Sequence, residues 1–228
     1  MSDDVDARVE RLGGTLAIEV ARELVEPVRT LRDRLGLVVD TLERHVATSS
    51  GPTPYPWRSV QSLRHDLAAS YLEATTLARR LDELDRALDH DPPAGFDAAA
   101  AVDLGLRLAT HHLTPQVELV VDLGSTPLVR GTPGTLALVV AQLVAACAAS
   151  ARDTPGSALS VRVVLDGDID DGAAVAITIA DNGAGSPRAA ELGELARSIV
   201  EPWGASVDAT SEAGQGTSFE LRLAVQPA

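Results

Sequence analysis

The residues of this chain best suited to chemistry form two short glycine loops. Asp181-Asn182-Gly183-Ala184-Gly185 and Gly214-Gln215-Gly216-Thr217 each adjoin an apolar run that reads as a strand. Gly183 and Gly185 permit positive φ angles and close backbone approach. Asp181 adds a carboxylate acceptor and Thr217 a hydroxyl, so the set could receive a hydrogen-bonding ligand. The plainer reading is two ordinary glycine turns. One loop alone would say little; two of them, about thirty residues apart with a helix and a strand between, make chance a poor account. A second candidate is His65-Asp66, an imidazole beside an acid on a helix. It falls two residues past an apolar stripe position and should face solvent, as a phosphoryl acceptor must. The plainer reading there is a solvated surface histidine. His45, His90, His111 and His112 show neither metal-ligand spacing nor a nucleophilic partner, so no metal site is expected.

These residues sit in a chain of 228, long enough for one large domain or two small ones. Apolar content is 45 % and charged content 23 %, ordinary for a globular protein. Aromatics are scarce, so the core must be built from Leu, Val and Ala. Every basic side chain is Arg and none is Lys, which fits a coding bias better than any physical role. A net charge of −14 argues against nucleic acid and against anionic lipid, both of which need a basic face. The single cysteine, Cys147, excludes an internal disulfide and fits a reducing cytoplasm. No stretch is expected to approach the roughly 20 apolar residues of a membrane span. The acidic start, Met1-Ser2-Asp3-Asp4, does not read as a signal peptide.

Two helices are expected over residues 1–91. Apolar positions 24, 28, 31, 35, 38 and 42 alternate steps of four and three within 15–48. Residues 59–90 repeat the pattern at 60, 63, 67, 77, 81, 84 and 88, with Ser70 and Ala74 filling the stripe. Gly51-Pro52-Thr53-Pro54-Tyr55-Pro56 must break the helices apart, giving an antiparallel hairpin. Two helices leave one side of each stripe uncovered, so a homodimer forming a four-helix bundle is expected. The alternative is a hairpin folded back on the rest of its own chain. Pro27 lies inside the first helix, where it costs about 3 kcal/mol and introduces a kink.

Asp91-Pro92-Pro93 marks a boundary, and residues 92–228 read as a second domain. Expected elements are a helix near 97–113, a strand at 117–123 and a short extended piece at 127–130. A helix should run from the Thr132-Pro133 N-terminus to about 151. Strands at 158–166 and 173–180, a helix over 188–202, and strands at 205–211 and 217–225 complete an α/β sandwich, for an overall α+β class.

This order, with the loops and hairpin, resembles the histidine kinases: a dimerising helical hairpin followed by a Bergerat-type ATPase domain. The closing segment from Gly214 to Leu223 carries the resemblance most specifically. It implies that Asp181 meets the amino group of adenine, that Thr217 supports that carboxylate, and that Gly183, Gly185, Gly214 and Gly216 shape the adenine pocket. It also implies losses. The family helix reads Asn-Leu-x-x-Asn-Ala, whose second Asn holds magnesium; here Gln142-Leu143-Val144-Ala145-Ala146-Cys147 puts Ala146 at the metal ligand. Ala has no oxygen for a hard cation. Ala149 stands where a basic residue often meets a phosphate. Only Ser186-Pro187-Arg188 replaces the long lid, and Ala190 and Leu192 stand at the lid-end glycines. Arg22, in Arg22-Glu23-Leu24-Val25-Glu26-Pro27, occupies the place of the phospho-accepting His. A guanidinium is no phosphoryl acceptor at neutral pH.

The resemblance thus implies a degenerate kinase with no magnesium site and no expected cofactor, retaining at most weak ATP or ADP binding on the adenine side. Its implied role is a cytoplasmic two-component signalling protein, a dimeric adaptor for a response-regulator receiver domain. Arg22, Arg29 and Arg32 are available as anchors on the hairpin faces of 15–35 and 59–80. Two alternatives stand beside it: a histidine phosphotransferase using His65, and a nucleotide-binding switch like the Bergerat-fold anti-sigma factors.

Overall fold

The structure, a computed structural model, describes residues 28–41, 44, 57–88, 94–167 and 173–226. Its residues divide into two compact units, 15–82 and, from Glu83 onward, a second that runs to the end of the chain. Arg22, Pro27 and the triple-proline break at Gly51–Pro56 lie outside the described residues.

In the first unit, helix α1 covers 28–41 and helix α2 begins at Trp57. Arg34 donates to Glu73 across 3.0 Å, and the midpoint of that pair falls between residues 53 and 54, as an antiparallel hairpin requires. The heptad stripe splits into two columns. Leu31, Val38, Ser70 and Leu77 are buried or half-buried. Val28, Leu35, Leu67, Ala74 and Leu81 are exposed, the leucines by 41 to 52 %. One column closes the hairpin, and the other remains open.

Helix α2 runs on to Leu88, so its last turns belong to the second unit. There the buried Glu83 pairs with Arg107 at 3.2 Å, and Arg107 also bonds Asp103. The elements that follow are β1 (Ala94–Phe96), α3 (Ala98–Leu108), β2 (Glu118–Leu123), β3 (Val129–Gly131), α4 (Pro133–Ala151), β4 (Ala158–Asp166), β5 (Ala174–Asp181), α5 (Ala189–Val200), β6 (Ser206–Glu212) and β7 (Gly216–Ala224). Short 3-10 turns extend α3 and α5 at Thr110–His112 and Glu201–Trp203. The expected order holds throughout. The addition is β1, which pairs antiparallel with β3 as a separate two-stranded sheet.

The main sheet has the order β2-β4-β5-β7-β6, with β2 parallel to β4 and the remaining pairs antiparallel. Alternating burial along β4 and β7 gives it one helix-covered face and one wetter face. Asp97 caps α3 by accepting from the Ala99 amide at 2.9 Å. Thr132 occupies the N-cap of α4 but its side chain makes no capping bond; Pro133 supplies the preset first-turn φ. Helix α4 lies over the centre of the sheet, and its apolar residues meet Phe219, Leu221, Ile177 and Ile179 in the core. By length and composition α4 alone among the described helices could cross a membrane. This corrects the expectation that no stretch approaches such a span: the apolar run is there because α4 packs against sheet and helices and is buried over most of its surface.

Candidate functional site

Both glycine loops lie at one end of the main sheet, at the C-terminus of β5 and the turn from β6 to β7. The structure brings them together. Gly214 donates its amide to the Ala184 carbonyl at 2.9 Å. A side chain at Gly216 would overlap the Asp181 carbonyl, and one at Gly183 would overlap the Ser150 carbonyl at the end of α4. Gly185, Gly214 and Gly216 adopt positive φ, whereas Gly183 does not; its smallness serves close approach alone.

Asp181 is 8 % exposed. Its Oδ1 accepts from the Ser150 hydroxyl at 2.8 Å and from the Gly183 amide at 2.7 Å. Its Oδ2 is buried with no hydrogen-bond partner, and the Cys147 thiol lies near the carboxylate. Burial pushes that thiol well above the ordinary range, and the neighbouring Asp181 charge and hydrogen bond push it further, so Cys147 stays neutral and unreactive.

Thr217 does not support Asp181. Its hydroxyl accepts the Ser186 amide at 3.0 Å and touches the Ser211 hydroxyl at 3.2 Å, while Ser211 accepts the same amide at 2.9 Å. The role expected for Thr217 is filled by Ser150, which the sequence reading passed over. Its only sequence signal is a hydroxyl within the run Ala148-Ala149-Ser150-Ala151.

The face of α4 beside the loops is the one left partly uncovered: Gln142, Ala145 and Ala146 are half-buried and Ala149 is exposed. Three of those four side chains are methyl groups. They offer no oxygen to a cation and no charge to a phosphate. Among the described residues no cluster of three or more His, Cys, Asp or Glu could hold a metal. Three residues separate Gly185 from the start of α5 at Ala189, so the segment that would cover phosphates is absent from the described chain. A shallow cavity of about 320 Å³ opens at the loops, lined by Asp181, Ser211, Glu212, Gln215 and Thr217 among others. Its walls are polar, whereas a base-binding slot is mostly apolar. Ala145, Ala146 and Ala149 beside the cavity supply neither an oxygen ligand for magnesium nor a cation for a phosphate.

His65 is exposed, as expected for a surface residue, and Asp66 is half-buried. It belongs to the hairpin unit, and the Asp181 loops belong to the other.

No protein-family model matches the sequence, and no curated protein is similar to it. Solved structures do resemble it. The Acinetobacter baumannii histidine kinase AdeS is 17 % identical, covering 90 % of this chain and 98 % of its own, with a TM-score of 0.48. The mycobacterial sensor histidine kinase MprB is 17 % identical over 60 % of this chain and all of its own, at 0.46. A histidine kinase from Burkholderia phymatum is 14 % identical over 89 % of this chain and 99 % of its own, at 0.46. At such identities and scores the likeness is one of fold outline, and the functional reading rests on the residues themselves.

Proposed function

We propose that this chain is a two-component signalling protein descended from a histidine kinase, which has lost nucleotide chemistry and works as a dimeric adaptor for a receiver domain. The observation that carries this reading is the bare face of α4. Phosphoryl transfer depends on positioning and charge neutralisation of the phosphates. Ala145, Ala146 and Ala149 supply neither, and no segment follows Gly185 to cover a phosphate chain.

The hairpin supports the other half. Each Leu carried from half-exposed to sealed contributes about 1 kcal/mol, and a second copy seals Val28, Leu35, Leu67 and Leu81 at once. Outside that column Tyr71 is 73 % and Leu72 66 % exposed, the type of apolar anchors a partner surface uses. The buried lone thiol suits a reducing compartment. Titration of the purified protein with receiver domains encoded beside it tests the reading: a complex weakened by Tyr71→Ala is expected, and no complex with any of them removes it.

The exposure of His65 favours a second reading. In it the imidazole takes the phosphoryl group from a receiver's aspartyl phosphate, leaving the free carboxylate. Radiolabel acquired from a phosphorylated receiver and lost in His65→Ala would establish that; label that persists in the variant eliminates it.

A further inference from the structure

We infer that Ser150 is an internal ligand that holds the Asp181 site shut. The inference rests on reading the Asp181 loop as a former nucleotide pocket, and it stands or falls apart from the receiver-binding role. Four consecutive amides of the loop turn inward. Gly183 donates to Asp181 Oδ1 at 2.7 Å, Ala184 to the Ser150 carbonyl at 3.0 Å, Gly185 to the Ser150 hydroxyl at 2.8 Å, and Ser186 to Ser211 and Thr217. Ser150 therefore takes part in three of the loop's contacts, through its carbonyl, as acceptor of the Gly185 amide, and as donor to Asp181 at 2.8 Å. An amino group of a base needs an accessible lone pair on Asp181. Oδ1 already receives two donors, and Oδ2 is buried with no surface of its own.

The geometry is chain-specific in its requirement for a small hydroxyl residue at position 150. The Ser150 carbonyl lies so close to Gly183 that no Cβ fits between them, so the end of α4 and the loop are in direct backbone contact. Ser150 is 7 % exposed, and a side chain much larger than Ser or Thr there would lift the loop.

The test compares wild type with Ser150→Ala and Ser150→Thr, using adenosine and ADP as probes and amide exchange as a second readout. In wild type, Ala184 and Gly185 should exchange slowly and neither probe should perturb residues 181–186 at millimolar concentration. Ser150→Ala removes both hydroxyl bonds; exchange at Gly185 should rise by about tenfold or more, and adenosine should shift the Asp181 loop. Ser150→Thr keeps the hydroxyl and should retain wild-type exchange. Adenosine binding by wild type equal to that by Ser150→Ala overturns the inference. So does fast exchange at Ala184 and Gly185 in wild type, a reading that needs no variant to fold. So does a folded Ser150→Ala with a released loop that ignores adenosine.

Discussion

The two units of this protein finish their surfaces to different degrees. The hairpin leaves an entire heptad column uncovered, with Val28, Leu35, Leu67 and Leu81 all more than 40 % exposed. The C-terminal unit does the reverse at its glycine loops: the amides of 183–186 and Asp181 Oδ1 are met by its own groups, and Oδ2 alone is buried without a partner. Unfinished surface marks where a protein still expects something to bind. By that measure the open hairpin column is unfinished surface, and the amides of the glycine loops are not.

The contrast can be broken at several points. The largest effect should come from Gly216→Val, which forces a branched side chain at φ +95° into the Asp181 carbonyl; a loss of more than about 3 kcal/mol is expected, read as a large fall in the melting temperature of the C-terminal unit. If that variant melts like wild type, the two loops are not packed as described. Leu67→Glu with Leu81→Glu should come next. Charges on the open column cost the association about 2–3 kcal/mol, roughly a hundredfold in dimer dissociation by sedimentation, with C-terminal melting unchanged. A monomeric wild type would remove this half of the comparison. Arg107→Ala strands the buried Glu83 carboxylate and should lower stability by about 2 kcal/mol in urea, more than Glu83→Gln does. Arg188→Ala breaks an exposed pair with Glu191 and should cost about 0.5 kcal/mol or less.

Cys147 gives a pH test. Its thiol lies above its unfolded range, so the neutral form carries the stabilisation, which is complete below the ordinary thiol range and declines as pH rises through and beyond it. Thiol reagents at neutral pH should therefore label Cys147 only on unfolding. Labelling of the folded protein at the rate of a free thiol would show that α4 is not sealed against β5 and β7.

Much of this was legible in the residue pattern. Thr132-Pro133 marks the start of α4, the apolar runs ending at Asp166 and Asp181 mark β4 and β5, and the steps of four and three mark both helices. These signals are local, because each reflects one face meeting one environment. What escaped depends on residues far apart in the chain. Ala94–Phe96 is a strand only because Val129–Gly131 lies beside it. Ser150 meets Asp181 across 31 positions and no spacing rule announces it. Thr217 kept the residue type that the resemblance asks for but turned its hydroxyl to Ser186. Position 146 shows the opposite case: the absence of a side-chain oxygen is visible in the sequence because Ala has none to hide.

The last turns of α2 bear on how this protein can be recombined with others. Glu83 is held by Arg107, Ala87 is 2 % exposed, and Gly134 at the head of α4 abuts the backbone of Arg86 and Ala87 so closely that no side chain fits there. The module that travels intact is therefore the chain from Glu83 onward. A graft of this unit onto a foreign hairpin should be spliced within the helix, ahead of Glu83, and should keep the helical phase across the joint; a transplant that leaves those six residues behind arrives with Gly134 facing water and one wall missing.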